Sequence, residues 1–243
     1  MILRQYLQTE PSVVASYLFG CGGEGVSAVV DPTEDIDAYM EASKALDMQI
    51  RYVFDTHVHA DHISGGAALA AATGAEYMLG AEAKLAFAFR PVADDDVLWL
   101  GNVSVRVLET PGHTPEHITL LVTDHRRSDE PWCAFTGHTL MIGDMGRTEL
   151  VTNKEEGARQ LYASAVKLQQ LPDHIVILPG AFSGSPCGRS LSGNPVSTVG
   201  FERRFNAAFS ITDEDTFVDY MLQDTPEKPA DFDRIREANI AGI

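Results

Sequence analysis

Basic residues are scarce in this chain: 18 lysines and arginines stand against 35 aspartates and glutamates, for a formal net charge of -17. Repulsion of that size excludes nucleic acid and anionic membrane surfaces as partners held by simple electrostatics. Long hydrophobic runs are also missing, and nothing approaches the roughly 18 apolar residues that a membrane-spanning helix requires. The opening residues, MILRQYLQTEPS, lack the basic start, apolar middle and small-residue cleavage site of an export signal, so a cytoplasmic location is expected. Cysteine is limited to Cys21, Cys133 and Cys187. An odd number at wide spacing supports neither a disulfide scaffold nor a cysteine-based zinc site, and leaves three reduced thiols.

What is present is enough apolar material, 44% of 243 residues, to bury one sizeable α/β core. A single domain spanning 1–243 is expected, with a helical, peripheral C-terminal extension from about residue 211. VVASYLF (Val13–Phe19) and VSAVVDP (Val26–Pro32) have the composition of strands, joined by the turn CGGEG. A helix is predicted over Ile36–Leu46, then a buried strand in RYVF, then an Ala-rich helix over Gly65–Thr73. Further strands are predicted at Val103–Glu109, His117–Thr123, Trp132–Gly137 and His174–Gly180, with a helix over Glu155–Leu171.

Chemistry concentrates in THVHADH (Thr56–His62), which falls between a strand and a helix, where α/β proteins place reactive groups. His57 and His59 are one residue apart, so in extended chain both point to the same side and can ligate one metal. Asp61 and His62 lie beyond the bend and can face a second position. A second turn, TPGHTPEH (Thr110–His117), presents His113 as a ligand, with His117 opening the next strand as a hydrogen-bond partner.

HxHxDH together with TPGHT, in this order, resembles the metallo-β-lactamase superfamily, whose fold is an αββα sandwich with metal at one edge between two sheets. FTGHTLMIGDMGRTEL (Phe135–Leu150) and PGAFSGSPCG (Pro179–Gly188) are similar to the persulfide dioxygenase branch and its rhodanese-fused relatives. Two positions depart from that pattern. His138 stands where the family has the metal-bridging aspartate, and Ala181 where it has the last ligand histidine. A second metal would retain only Asp61 and His62, so one metal is expected, held by His57, His113 and His138 with His59 as a fourth or neighbouring ligand. The resemblance implies iron(II), one per chain, with zinc(II) as the alternative. The implied reaction is oxidation by O2 of a small thiol or persulfide, similar to glutathione persulfide.

Asp61 and His62 are then the candidates for proton handling beside the metal. Arg147 and Cys187 are the candidates for contacting substrate, although Arg147 can instead brace its loop through Asp144 or Glu149. Cys21, Cys133, His125 and His174 are expected to be structural or solvated. The competing readings are a zinc-dependent hydrolase of the glyoxalase II thioesterase or lactonase kind, and a catalytically silent binding relative. A homodimer or homotetramer is also in keeping with the resemblance.

Overall fold

A computed structural model describes residues 1–223, 225 and 227–243. The first sheet has the order β1 (Ile2–Gln8), β2 (Val14–Cys21), β3 (Val26–Val30), β4 (Gln49–Phe54), β5 (Glu76–Gly80) and β6 (Arg90–Val92). Its first two pairings are antiparallel and the remaining three parallel. In the second sheet, β7 (Val97–Leu100), β8 (Val103–Glu109), β9 (Ile118–Asp124) and β10 (Cys133–Gly137) run antiparallel. β11 (Val176–Pro179) pairs parallel with β10, and β12 (Ser197–Thr198) closes the edge.

The burial pattern explains the layering. Every residue of VASYLFGC in β2 and ITLLVTD in β9 is buried, as expected for strands covered on both faces. Side chains on the inner faces, among them Phe19, Val105, Leu120 and Phe135, form one core between the sheets. Tyr17 and Phe19 pack at a tilt against Phe135 across the gap, with ring centroids 4.9 and 4.8 Å apart. The outer face of the first sheet packs under α1 (Asp37–Ala45) and α2 (Gly66–Thr73). That of the second packs under α3 (Lys154–Gln169), α4 (Val199–Phe205) and α5 (Glu214–Leu222). The result is the αββα sandwich anticipated from the sequence.

Most predicted elements lie within two residues of the observed ones. The reading of the tail as peripheral is corrected by α6 (Phe232–Ala241), which lies against the histidine loop. The edge strand β1, formed by the N-terminal residues, was not anticipated. Among the described residues no helix is long and apolar enough to cross a membrane.

Candidate metal centre

β4, β8, β10 and β11 all end at one rim of the sandwich. The segments that follow them carry His57–His62, His113, His138 and Ala181–Cys187. The rim is tied across the two sheets by the Ile118 N–H, which donates to the Thr56 carbonyl at 2.8 Å. Two glycines set the histidine-bearing turns. At Gly137 (φ +49°) a Cβ would lie 2.5 Å from Thr56 Oγ1 and 2.6 Å from His117 Nε2. At Gly112 (φ +136°) it would strike Leu161 of α3 at 2.5 Å. Only glycine adopts these conformations at such close approach.

One ring nitrogen each of His57, His113 and His138 lies within 4.8 Å of the others, and all three side chains are buried. Hydrogen bonds select which nitrogen is free. The Arg147 carbonyl can only accept, so His113 Nδ1–H donates to it at 2.8 Å and leaves the Nε2 lone pair facing the site. The Thr56 hydroxyl donates to Asp31 Oδ2 at 3.0 Å and therefore accepts from His57 Nδ1–H, also at 3.0 Å. His57 Nε2 is left buried without a partner. Burial pushes the His113 imidazole down to about 3, that of His138 to about 4, and that of His57 well below its usual range. Neutral rings are what a divalent cation requires, and His57 and His113 each turn a lone pair toward the group.

His138 has two neighbours of different kinds. Its Nδ1 is 3.3 Å from His113 Nε2, while its unpartnered Nε2 is 3.7 Å from Asp61 Oδ2, which is also unpartnered. Burial works against the Asp61 carboxylate, but the neighbouring His62, His138 and His59 favour its ionised form and hold the acid well below the usual range. His62 Nδ1–H donates to Asp61 Oδ1 at 3.2 Å, leaving His62 Nε2 free. His59 is placed apart from the three-histidine group. Its Nε2 donates to Asp31 Oδ1 at 3.0 Å, and its Nδ1 lies 3.6 Å from Asp61 Oδ1. Burial alone would lower this imidazole, yet Asp31 raises it well above the usual histidine range.

Cys187 Sγ lies within 4.8 Å of ligand atoms of Asp61 and His138, and burial raises the thiol above its usual range. Ala181 packs with Met141 and Cys187 in a small apolar cluster, so position 181 presents a methyl group among hydrocarbon and no ligand atom. Arg147 sits beneath the site. Its guanidinium bonds Glu149 at 2.5 and 2.7 Å, with further bonds to the Pro186 and Glu227 carbonyls. Asp144 pairs instead with Arg189 at 3.0 Å. His117 is a brace, accepting the N–H groups of His138 and Thr139 at 3.0 and 3.3 Å. Cys21 and Cys133 are core residues, His125 bonds Ser104 and Asp129, and His174 is exposed.

Sequence reasoning missed four residues that hold this rim. Asp31 accepts from Thr56 N–H, Thr56 hydroxyl and His59. Its position was recoverable, because it directly follows β3, and parallel pairing of Val30 with Phe54 puts it beside the start of the histidine loop. Thr56 is the link between Asp31 and His57, and Glu116 accepts the Val58 N–H at 2.9 Å. Asn239 of α6 donates to the His59 and His62 carbonyls at 2.9 Å each and accepts from Ser64 N–H at 2.9 Å. Nothing local in the sequence marks it. Asn239→Ala should weaken metal binding by about ten-fold, at the lower end of what groups that orient ligands contribute, while costing about 1–3 kcal/mol for the orphaned groups. Competition against a chelator measures the first and urea unfolding the second; unchanged metal affinity would reduce α6 to a packing element.

The profile of the Metallo-beta-lactamase superfamily matches residues 9–180. Human mitochondrial persulfide dioxygenase ETHE1 is 30% identical over 99% of this chain and 88% of its own. A hydroxyacylglutathione hydrolase from Rhodospirillum rubrum is 32% identical over 68% of this chain and 60% of its own. Among solved structures, ETHE1 from Myxococcus xanthus superimposes with a TM-score of 0.86 at 30% identity, covering all of this chain and 99% of that one. A metallo-beta-lactamase from Staphylococcus aureus gives a TM-score of 0.94 at 34% identity, covering all of this chain and 73% of that one.

Proposed function

Because the chain belongs to the metallo-β-lactamase superfamily and matches persulfide dioxygenases along its whole length, we propose that this metalloenzyme is a mononuclear iron oxygenase of a low-molecular-weight persulfide or thiol. For a persulfide the overall change is RSSH + O2 + H2O → RSH + H2SO3, in which the outer sulfur is oxidised and dioxygen reduced. The observation that carries the reading is the group of three buried neutral histidines, His57, His113 and His138, beside an alanine at 181. These residues would hold one iron, with His59 as a neighbour able to contribute Nδ1 once its ring is neutral. When bound, iron supplies the one-electron chemistry by which dioxygen reacts with a sulfur anion.

The chain's own residues do the rest. Asp61 Oδ2 is buried, charged and unpartnered, and is placed to accept the hydrogen bond of an incoming S–H group. His62 orients it through Nδ1. Arg147 contributes its carbonyl, which fixes His113, and its guanidinium braces the loop carrying Cys187. Val58, Leu150, Val151 and Phe232 wall the approach and limit water there.

A zinc-dependent thioesterase is the second reading, favoured by the match to hydroxyacylglutathione hydrolases over about two thirds of the chain. Anaerobic purification with metal analysis, followed by an oxygen electrode, separates the two. About one iron per chain and O2 uptake with persulfide is the expected result. Near two zincs per chain with thioester hydrolysis and no O2 uptake would replace it.

A further inference from the structure

Thr114 directly follows the ligand His113 and is 2% exposed, yet its buried hydroxyl has no hydrogen-bond partner. Other buried threonines of the rim are engaged. Thr56 donates to Asp31, Thr136 to the Leu140 carbonyl and Thr139 to the Thr110 carbonyl, while Thr110 bonds His117 and Thr119. The turn around Thr114 is tied through its backbone, whose carbonyl accepts the Gly112 N–H at 3.1 Å. A buried, unpaired hydroxyl costs stability that a methyl group of the same shape does not.

Thr114 lines a chamber of about 20 Å3, room for roughly one water, together with Asp61, His113, Cys187 and apolar side chains. A wider space of about 380 Å3 shares Ala60, Asp61 and Pro186 with it and gives access. The inner chamber therefore admits only the terminal atom of a substrate. Of its lining residues, Asp61 and Thr114 hold the buried oxygens without a partner, Oδ2 and Oγ1. An ionised carboxylate can only accept, whereas a hydroxyl has a proton to donate. Asp61 thus suits a neutral S–H group, and Thr114 suits the anion.

We propose that the Thr114 hydroxyl donates a hydrogen bond to the sulfur anion of a bound thiol or persulfide, and is kept for that contact at a cost in stability. The proposal rests on the sulfur-substrate reading above. Thr114→Val keeps the shape and removes the hydroxyl; Thr114→Ser keeps the hydroxyl. Each full chain is loaded anaerobically with Co(II) and titrated with 2-mercaptoethanol, an uncharged thiol, following the growth of the near-ultraviolet sulfur-to-cobalt band. Thr114→Val should take up cobalt as the parent does and bind the thiol about ten-fold more weakly, the scale of one hydrogen bond to a charged group. Thr114→Ser should restore most of the affinity. Urea unfolding of metal-free Thr114→Val should show equal or greater stability, since the substitution breaks no hydrogen bond within the protein. Unchanged thiol affinity in Thr114→Val would overturn the proposal. Reduced cobalt content or lower stability would also overturn it, by making the side chain a support of the His113 turn. Cobalt bound by the parent with no thiol-induced band would overturn the sulfur reading, and this proposal with it.

Discussion

His113→Ala should purify with less than about a tenth of the metal of the parent chain, because removing one of three neutral ligands costs at least the roughly hundred-fold in affinity seen for groups that merely orient ligands. The side chain supplies Nε2 to the group with His57 and His138 while its Nδ1–H is fixed by the Arg147 carbonyl. His117 does not replace that nitrogen, since it spends Nε2 on two backbone N–H groups, and His59 spends its own Nε2 on Asp31. The fold should survive, with a loss of about 1–3 kcal/mol for an orphaned carbonyl and a small cavity. Metal per chain and far-ultraviolet circular dichroism should be measured together. His125→Ala, altering a partly exposed histidine outside the metal groups, is the control. Full metal occupancy in folded His113→Ala would remove the three-histidine centre.

Asp31→Ala should have the largest effect on stability, on the order of 3–5 kcal/mol, because it leaves a buried charge without its partner. Asp31 is 1% exposed and satisfies Thr56 N–H, the Thr56 hydroxyl and His59 at 2.7 to 3.0 Å. Burial disfavours its charge, but the His59 imidazolium more than compensates and lowers its pKa. Each partner therefore keeps the other ionised. Chemical denaturation of the metal-free protein isolates this contribution from metal loss. Combining Asp31→Ala with His59→Ala should cost clearly less than the sum of the two, since the double variant buries no unpaired charge. Strict additivity, or a single-variant loss below about 1 kcal/mol, would show that the pair does not hold the loop. Loss of Asp31 should also loosen His57, which reaches the carboxylate through Thr56.

The strands of this protein were readable because burial on both faces imposes runs such as ITLLV, which turn residues bound sharply. The ligand loops were readable for a different reason. Histidines at fixed short spacing after a strand constrain one another locally, and glycine before His113 and His138 marks positive φ. β1 was not legible, as its half-polar face reflects its place at a sheet edge. The role of α6 was not legible either, because the contact of Asn239 with the histidine loop spans 177 to 180 residues.

By itself, the sequence determined the sandwich and the histidine clusters, since local pattern and residue chemistry suffice for those. Only the tertiary structure decided which nitrogen His57 and His113 present, that Arg147 bonds Glu149, and that Asp31 and Asn239 hold the rim. Those outcomes depend on which groups meet across segments distant in the chain, and hydrogen-bond direction and charge are settled by such meetings.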